Sequence, residues 1–215
     1  MGTLTTHDVR DDATRGVAEA VAALRRGDLA VLPTDTVYGL AADAFSPPAV
    51  NRLLTAKGRG RDLPVPVLVG AWRGIDGLAD HVSTAMRALV ETFWPGPLTL
   101  IVRAAPSLAW DLGQTRGTVA VRMPLHPVAL AVLAETGPLA VSSANRSGLL
   151  PASTAAEALE QLGSSVAVYL DAGSSGDRVP STILDLTGER PQLRRAGALA
   201  AEELRTLLPD LAVSP

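Results

Sequence analysis

Several short stretches of this chain gather side chains that can hold a small anion or a polar substrate. Pro33-Thr34-Asp35-Thr36-Val37-Tyr38-Gly39-Leu40 carries hydroxyls at alternate positions after an apolar run. In extended chain Thr34, Thr36 and Tyr38 share a face. Pro33 ends strand pairing because it lacks an N–H, and Gly39 admits close backbone approach. The same run also suits an ordinary strand-to-turn junction with capping residues. Lys57-Gly58-Arg59, with Arg61 nearby, offers a polyphosphate a point charge and a bidentate fork. These cations equally suit a helix C-terminus, where they complement the dipole. Val141-Ser142-Ser143-Ala144-Asn145-Arg146-Ser147-Gly148 ends an apolar run in hydroxyls and an amide. It can wrap an anion with neutral donors, backbone N–H groups included, or form a helix cap and turn.

Arg122 closes the apolar run Val119-Ala120-Val121 just before Met123-Pro124, where a carboxylate or phosphate can reach it. A surface ion pair there is worth at most about 1 kcal/mol. Pro180-Ser181-Thr182-Ile183 and Arg195-Ala196-Gly197 mark a late strand start and strand end. Phe93-Trp94-Pro95-Gly96-Pro97 reads as a rigid structural turn plugged by bulky rings. The chain has no Gly-x-x-x-x-Gly-Lys-Ser/Thr loop and no Gly-x-Ser-x-Gly elbow. No His-plus-acid pair stands ready to activate Ser142 or Ser143, which favours binding over covalent catalysis.

The elements that must position these groups alternate between strand and helix. Helices are predicted at 13–27, 47–56, 83–92, 127–136, 154–162 and 201–208 from helical spacing of apolar residues. Ser46 and Ser83 serve as N-caps and Pro48 lies in a first turn. Strands are predicted at 29–32, 65–69, 98–103, 119–122, 139–141, 166–171, 181–186 and 192–194. Alternation of this kind argues for an α/β layered fold in one domain spanning the chain. Residues 1–12 read as a polar tail and 173–177 as a flexible loop.

Composition narrows the classes. Of 215 residues 47% are hydrophobic but only 3% aromatic, so the core is built from Ala, Val and Leu. Mean hydropathy is +0.22, yet no segment approaches the ~20 apolar residues of a membrane span. With no Cys, disulfides and thiolate zinc sites are excluded, and His7, His81 and His126 are scattered. The N-terminus lacks a signal-peptide plan, so a cytoplasmic protein is expected. Net charge is −3, against the basic excess of a protein that grips many phosphates. Local pairs such as Arg194 and Arg195 can still focus potential on a small anion.

Taken in order, Pro-Thr-Asp-Thr-Val-Tyr-Gly-Leu, Lys-x-Arg, Trp-Pro-Gly-Pro-Leu-Thr, Val-Arg-x-Pro, Ser-Ser-Ala-Asn-x-Ser-Gly, Pro-Ser-Thr-Ile and Arg-x-Gly closely resemble the YrdC-like family of L-threonylcarbamoyladenylate synthases. The resemblance covers residues 14–200. It implies a twisted, mostly parallel or mixed sheet, flanked by helices, with a deep concave binding face. It also implies that L-threonine, bicarbonate and ATP give threonylcarbamoyl-AMP and pyrophosphate, for threonylcarbamoyladenosine in tRNA. By motif match Thr36, Tyr38, Arg122, Ser142 and Ser181 fall on the threonine side. Lys57, Arg59, Thr118, Ser143, Ala144, Asn145, Ser153 and Arg195 fall on the ATP side, with Mg²⁺ on the phosphates. Leu63 stands where many members carry a basic residue, so one phosphate contact is missing or comes from Arg61. The turn before Ser153 also differs from some relatives. The chain resembles the short, single-domain form, with any lid duty left to a partner or to the 173–180 loop. Implied partners are downstream threonylcarbamoyl-transfer proteins, with at most weak tRNA contact.

Two other readings remain open at this level. One is a tRNA or double-stranded RNA binding module without its own chemistry, which the acidic balance and scarce aromatics oppose. The other is a carbamoyl-adenylate domain like that of hydrogenase maturation proteins. Those proteins carry further zinc-finger-like and acylphosphatase-like regions, which this chain lacks.

Overall fold

The computed structural model describes residues 4–213 and holds one mixed sheet with helices on both faces. The strands are β1 (Thr5–Asp8), β2 (Ala30–Leu32), β3 (Gly39–Asp43), β4 (Val67–Leu68), β5 (Leu98–Arg103), β6 (Thr118–Arg122), β7 (Leu139–Ser143), β8 (Val168–Asp171), β9 (Thr182–Asp185), β10 (Gln192–Arg195) and β11 (Ala212–Val213). Their order across the sheet is β1-β8-β2-β3-β7-β4-β6-β5-β9-β10-β11. Parallel and antiparallel neighbours occur in equal share, so the sheet is mixed rather than mostly parallel.

The helices are α1 (Thr14–Arg25), α2 (Pro47–Lys57), α3 (Ile75–Leu78), α4 (Thr84–Phe93), α5 (Pro127–Thr136), α6 (Ala155–Leu162) and α7 (Ala201–Arg205). Ser46 caps α2 by accepting from Ala49 N, and Ser83 caps α4 by accepting from Met86 N. Gly58 ends α2 at φ 61°, a left-handed turn that a side chain would strain. The last helix is shorter than its apolar pattern: it ends at Arg205, and Leu207 N and Leu208 N both turn back to Leu204 O.

Four strands depart from expectation, among them the short β11, which no run predicted and which pairs in parallel with β10. The polar segment before residue 12 is no tail: β1 pairs in parallel with β8 and alternates half-buried with exposed residues. Residues 1–3 of that segment lie outside the described residues. Gly39-Leu40-Ala41-Ala42-Asp43 has weak strand propensity, yet it forms β3 because β2 and β7 flank it and bury it. β4 is shorter than predicted, since Pro66 has no N–H and Val65 N donates to Leu112 O instead.

One face of the sheet packs α1 and α5 against Ala30, Leu32, Ala41, Val168 and Leu170. That cover stops near Leu68 and Val141. Beyond them the same face runs bare across β6, β5, β9 and β10, and Thr99, Ile101, Ala120, Arg122 and Ile183 line a cleft there. The alternate residues Leu98, Leu100, Val102, Val119, Val121 and Leu184 point the other way, into the larger core shared with α2 and α4.

Candidate active site

The cleft has a volume of about 460 Å³. Its walls bring together Thr36, Tyr38, Arg59, Arg122, Ser142, Ser143, Ser181 and Arg195, and its lining contains no Asp or Glu. Every threonine-side residue expected from sequence is here. Of the ATP-side residues, Arg59, Ser143 and Arg195 are here, while Lys57, Thr118, Ala144, Asn145 and Ser153 stand behind or beyond the lining.

Three guanidiniums dominate the electrostatics, and each is fixed by at least one carbonyl and one hydroxyl. Arg122, only 6% exposed, donates through Nε to Gly96 O (3.1 Å) and through Nη1 to Thr36 Oγ1 (2.9 Å). Its Nη2 pairs with Asp35, whose same oxygen accepts from Leu125 N, while Asp35 Oδ2 is buried without a partner. Arg59 donates to Leu63 O (2.9 Å), Pro64 O (3.0 Å) and Ser142 Oγ (3.1 Å). Arg195 donates to Ser181 O and to Ser181 Oγ (3.0 Å), and Thr99 Oγ1 lies 2.8 Å from that same hydroxyl. Each guanidinium has five N–H donors, so all three keep some unspent.

Burial pushes all three below the ordinary arginine range, and at Arg195 the nearby Arg122 adds to that. Arg122 has Asp35 behind it, but Arg59 and Arg195 have no acid among the lining residues, and an anion in the cleft would relieve these gathered charges. The rigid turn also acts here: Gly96 O orients Arg122, and Trp94 braces the turn by donating to Leu98 O at 2.7 Å.

Arg195 reaches the cleft through a bulge. Leu193 pairs with core-facing Leu184, so strict alternation would turn Arg195 into the core. The register slips by one residue at Arg194, and Arg195 pairs with cleft-facing Ile183. Arg194 instead holds Asp185. Gly197 permits the next crossing, because a Cβ there would lie 2.4–2.5 Å from the backbone of Pro180, Ser181 and Thr182.

Other expected residues take different places. The hydroxyls of Thr34 and Thr36 meet at 3.1 Å beside the cleft, but Tyr38's does not join them, because 33–38 is the turn joining β2 to β3 rather than extended chain. Tyr38 hydroxyl is spent away from the cleft: it donates to Gly173 O (2.7 Å) and accepts from Ala172 N (3.0 Å). Burial raises its pKa to about 12. Lys57 is 3% exposed and braces the 143–145 turn from behind, donating to Ser143 O (2.5 Å), Asn145 O (2.7 Å) and Asn145 Oδ1 (3.3 Å). Burial, then Arg59, lowers its pKa to about 8.

The turn's backbone N–H groups do not face an anion. Ala144 N donates to Tyr38 O, Asn145 N to Ser143 O and Ser147 N to Lys57 O. The donors left for a ligand are guanidiniums and hydroxyls. Asn145 Nδ2 holds Arg146 O and Leu149 O. Thr118 sits on β6 two residues before Ala120, with its hydroxyl on Thr115 O. Ser153 donates to Glu157, which also holds Arg178 at 2.5 Å and so ties the 173–180 loop to α6. Arg61 does not replace the missing basic residue, since it pairs with Asp111 and Asn51 outside the cleft.

Sequence reasoning missed Asp35 as the counter-ion of Arg122, and Thr99 as a member of the site. Thr99 carried a signal: it is a lone hydroxyl in the apolar strand Leu98-Thr99-Leu100, facing opposite to its neighbours.

Comparison with known proteins places the chain in a family. Residues 22–197 match the family model Sua5_yciO_yrdC, described as "Telomere recombination". A Mycobacterium tuberculosis protein named putative threonylcarbamoyl-AMP synthase is 54% identical over 198 residues, covering 92% of this chain and 91% of that one. A doubly substituted Sua5 from Pyrococcus abyssi superposes with a TM-score of 0.94 at 32% identity, over 99% of this chain. The same archaeal protein in complex with L-threonine gives 0.90 at 31% identity, over all of this chain. This chain spans 62–63% of the archaeal protein's length.

Proposed function

The chain belongs to the Sua5, YciO and YrdC family, and we propose that it is a threonylcarbamoyl-AMP synthase. In this reading it is a nucleotidyltransferase that joins L-threonine, bicarbonate and ATP and releases pyrophosphate, supplying threonylcarbamoyladenosine synthesis in tRNA. The observation that carries the reading is a cleft whose lining has no Asp or Glu but three guanidiniums, buried Arg122, half-buried Arg59 and the more exposed Arg195, each steadied by a hydroxyl. Its substrates bring a carboxylate, a carbonate and a triphosphate, all anionic.

Arg122, with Thr36, Ser142 and Ser181 around it, takes the amino-acid end. Arg59 and Arg195 take the phosphates, next to the turn that Lys57, Ala144 and Asn145 shape, with Thr118 and Ser153 bounding the nucleotide side. The threonine amine attacks carbon dioxide, or attacks bicarbonate with a C–O bond breaking and water leaving, to give a carbamate. A carbamate oxygen then attacks the α-phosphorus, and the bond to pyrophosphate breaks. The lining offers no carboxylate or imidazole, so the amine proton passes to bicarbonate or solvent. What the residues supply is positioning and charge neutralisation. The residues do not form a Mg²⁺ cage: among the described residues no three of His, Cys, Asp or Glu gather, and Mg²⁺ enters as the Mg–ATP complex.

The test is chromatography of α-labelled ATP incubated with the chain, threonine and bicarbonate. Label should move to threonylcarbamoyl-AMP only when all three substrates are present. No product that depends on both threonine and bicarbonate would overturn the reading.

A further inference from the structure

The hydroxyls at the floor of the cleft have a fixed direction, and Thr34 sets it. Thr34 Oγ1 lies 2.6 Å from Val37 O, which can only accept, so the single Thr34 hydroxyl hydrogen goes there. Thr36 N donates to Thr34 Oγ1 at 3.2 Å. Thr36 Oγ1 lies 3.1 Å from Thr34 Oγ1, and since Thr34 has no hydrogen left, Thr36 is the donor. Thr34 is then saturated, with one hydrogen given and two received. Thr36 has spent its hydrogen inward and accepts one from Arg122 Nη1 at 2.9 Å. What it has left for the cleft is a lone pair.

A ligand group meeting Thr36 must therefore bring a hydrogen. A carboxylate or phosphate oxygen there would set lone pair against lone pair. An ammonium brings hydrogens but adds a second cation beside Arg122, and the one acid there, Asp35, is already spent on that guanidinium. A neutral O–H meets both conditions. Resting on the function proposed above, we infer that Thr34 is a specificity-determining positioning residue. By holding Thr36 as a pure acceptor, it makes the cleft select an amino acid that carries a hydroxyl donor beside a carboxylate on Arg122.

The experiment measures calorimetric affinity of the full chain for L-threonine, for O-methyl-L-threonine, whose ether oxygen accepts but cannot donate, and for L-valine. The variants are Thr34→Val, which keeps the volume and removes the hub, and Thr34→Ser, which keeps the hub. Wild type should prefer threonine to both analogues by about 100-fold or more, as sites built around a ligand O–H do. In Thr34→Val the freed Thr36 hydrogen can meet the ether oxygen, and the threonine to O-methyl-threonine ratio should fall by about tenfold or more. Thr34→Ser should keep the wild-type ratio within about twofold, because the same three bonds remain. Should Thr34→Val fail to melt cooperatively, Thr34→Cys, of similar volume and weak as an acceptor, should still lower the ratio. An unchanged ratio in a folded Thr34→Val or Thr34→Cys chain overturns the inference while leaving the synthase reading intact. Failure of the wild type to bind threonine at all overturns both.

Discussion

Replacing Arg122 by Met should cost far more stability than losing a surface ion pair, and a second change should return most of it. The Arg122 and Asp35 side chains are 8% and 12% exposed, so neither charge is solvated from outside. Arg122→Met leaves Asp35 with one donor, Leu125 N, while Asp35 Oδ2 already has none. An uncompensated buried charge of this kind destabilises by about 3–5 kcal/mol. Gly96 O and the Thr36 lone pair lose their donor as well. Asp35→Asn with Arg122→Met removes both charges, while the Asn oxygen can still accept from Leu125 N. The double variant should regain about 2 kcal/mol or more over the sum of the single changes. Urea unfolding of the four proteins in a double-mutant cycle gives that coupling, with equal m-values required. Threonine affinity should be lost in Arg122→Met and stay lost in the double variant, so stability returns without binding. A cost below about 1 kcal/mol for Arg122→Met, typical of exposed pairs, would refute the buried-pair reasoning. Retained threonine affinity would refute the carboxylate role.

Three further outcomes follow from the same geometry. Burial and Arg59 hold Lys57 at about 8 in the folded chain, below the 10.5 of an ordinary lysine, so above about pH 8 the unfolded chain keeps a proton the folded chain has lost. This group alone should therefore raise unfolding free energy by about 2 kcal/mol between roughly pH 7.5 and 9.5, and urea melts of Lys57→Met should lack that increment. Tyr38→Phe should cost about 1 kcal/mol in denaturant unfolding, because its hydroxyl serves Gly173 O and Ala172 N. Its threonine affinity should stay within about twofold of wild type, since that hydroxyl does not reach the ligand. Arg194→Ala should cost more than the ~1 kcal/mol of an exposed pair, because Asp185, 10% exposed, would keep only Thr187 on one of its two oxygens. Deletion of Arg194 removes only the extra residue, so Arg195 would follow core-facing Leu193 directly and stay on the cleft face opposite Ile183, and calorimetric ATP binding should survive.

Much of the fold could be read from the chain because it rests on local rules. Ser46 and Ser83 cap helices where an apolar period begins, and the runs at 98–103, 119–122 and 139–141 appear as strands. The seven ordered motifs gave the family and, through it, the residues that line the cleft. β3 was not legible, because Gly-Leu-Ala-Ala-Asp becomes a strand only through the neighbours that bury it. Nor was β1, whose polar Thr-Thr-His-Asp pairs at the sheet edge.

Residue types and their order along the chain thus determined which chemistry was on offer: hydroxyls, guanidiniums and one lysine beside apolar strands. Tertiary structure decided how each group is spent. Lys57 turns its charge to three oxygens of the 143–145 turn, Tyr38 gives its hydroxyl to the backbone at 172–173, and Asp35 becomes the counter-ion of Arg122. Arg195 faces the cleft only because of a one-residue slip in register. A hydrogen-bond donor or acceptor commits to whatever partner the fold brings within about 3 Å, and a strand side chain takes its face from the pairing of a distant segment. Neither is a property of the residue or of its neighbours in sequence.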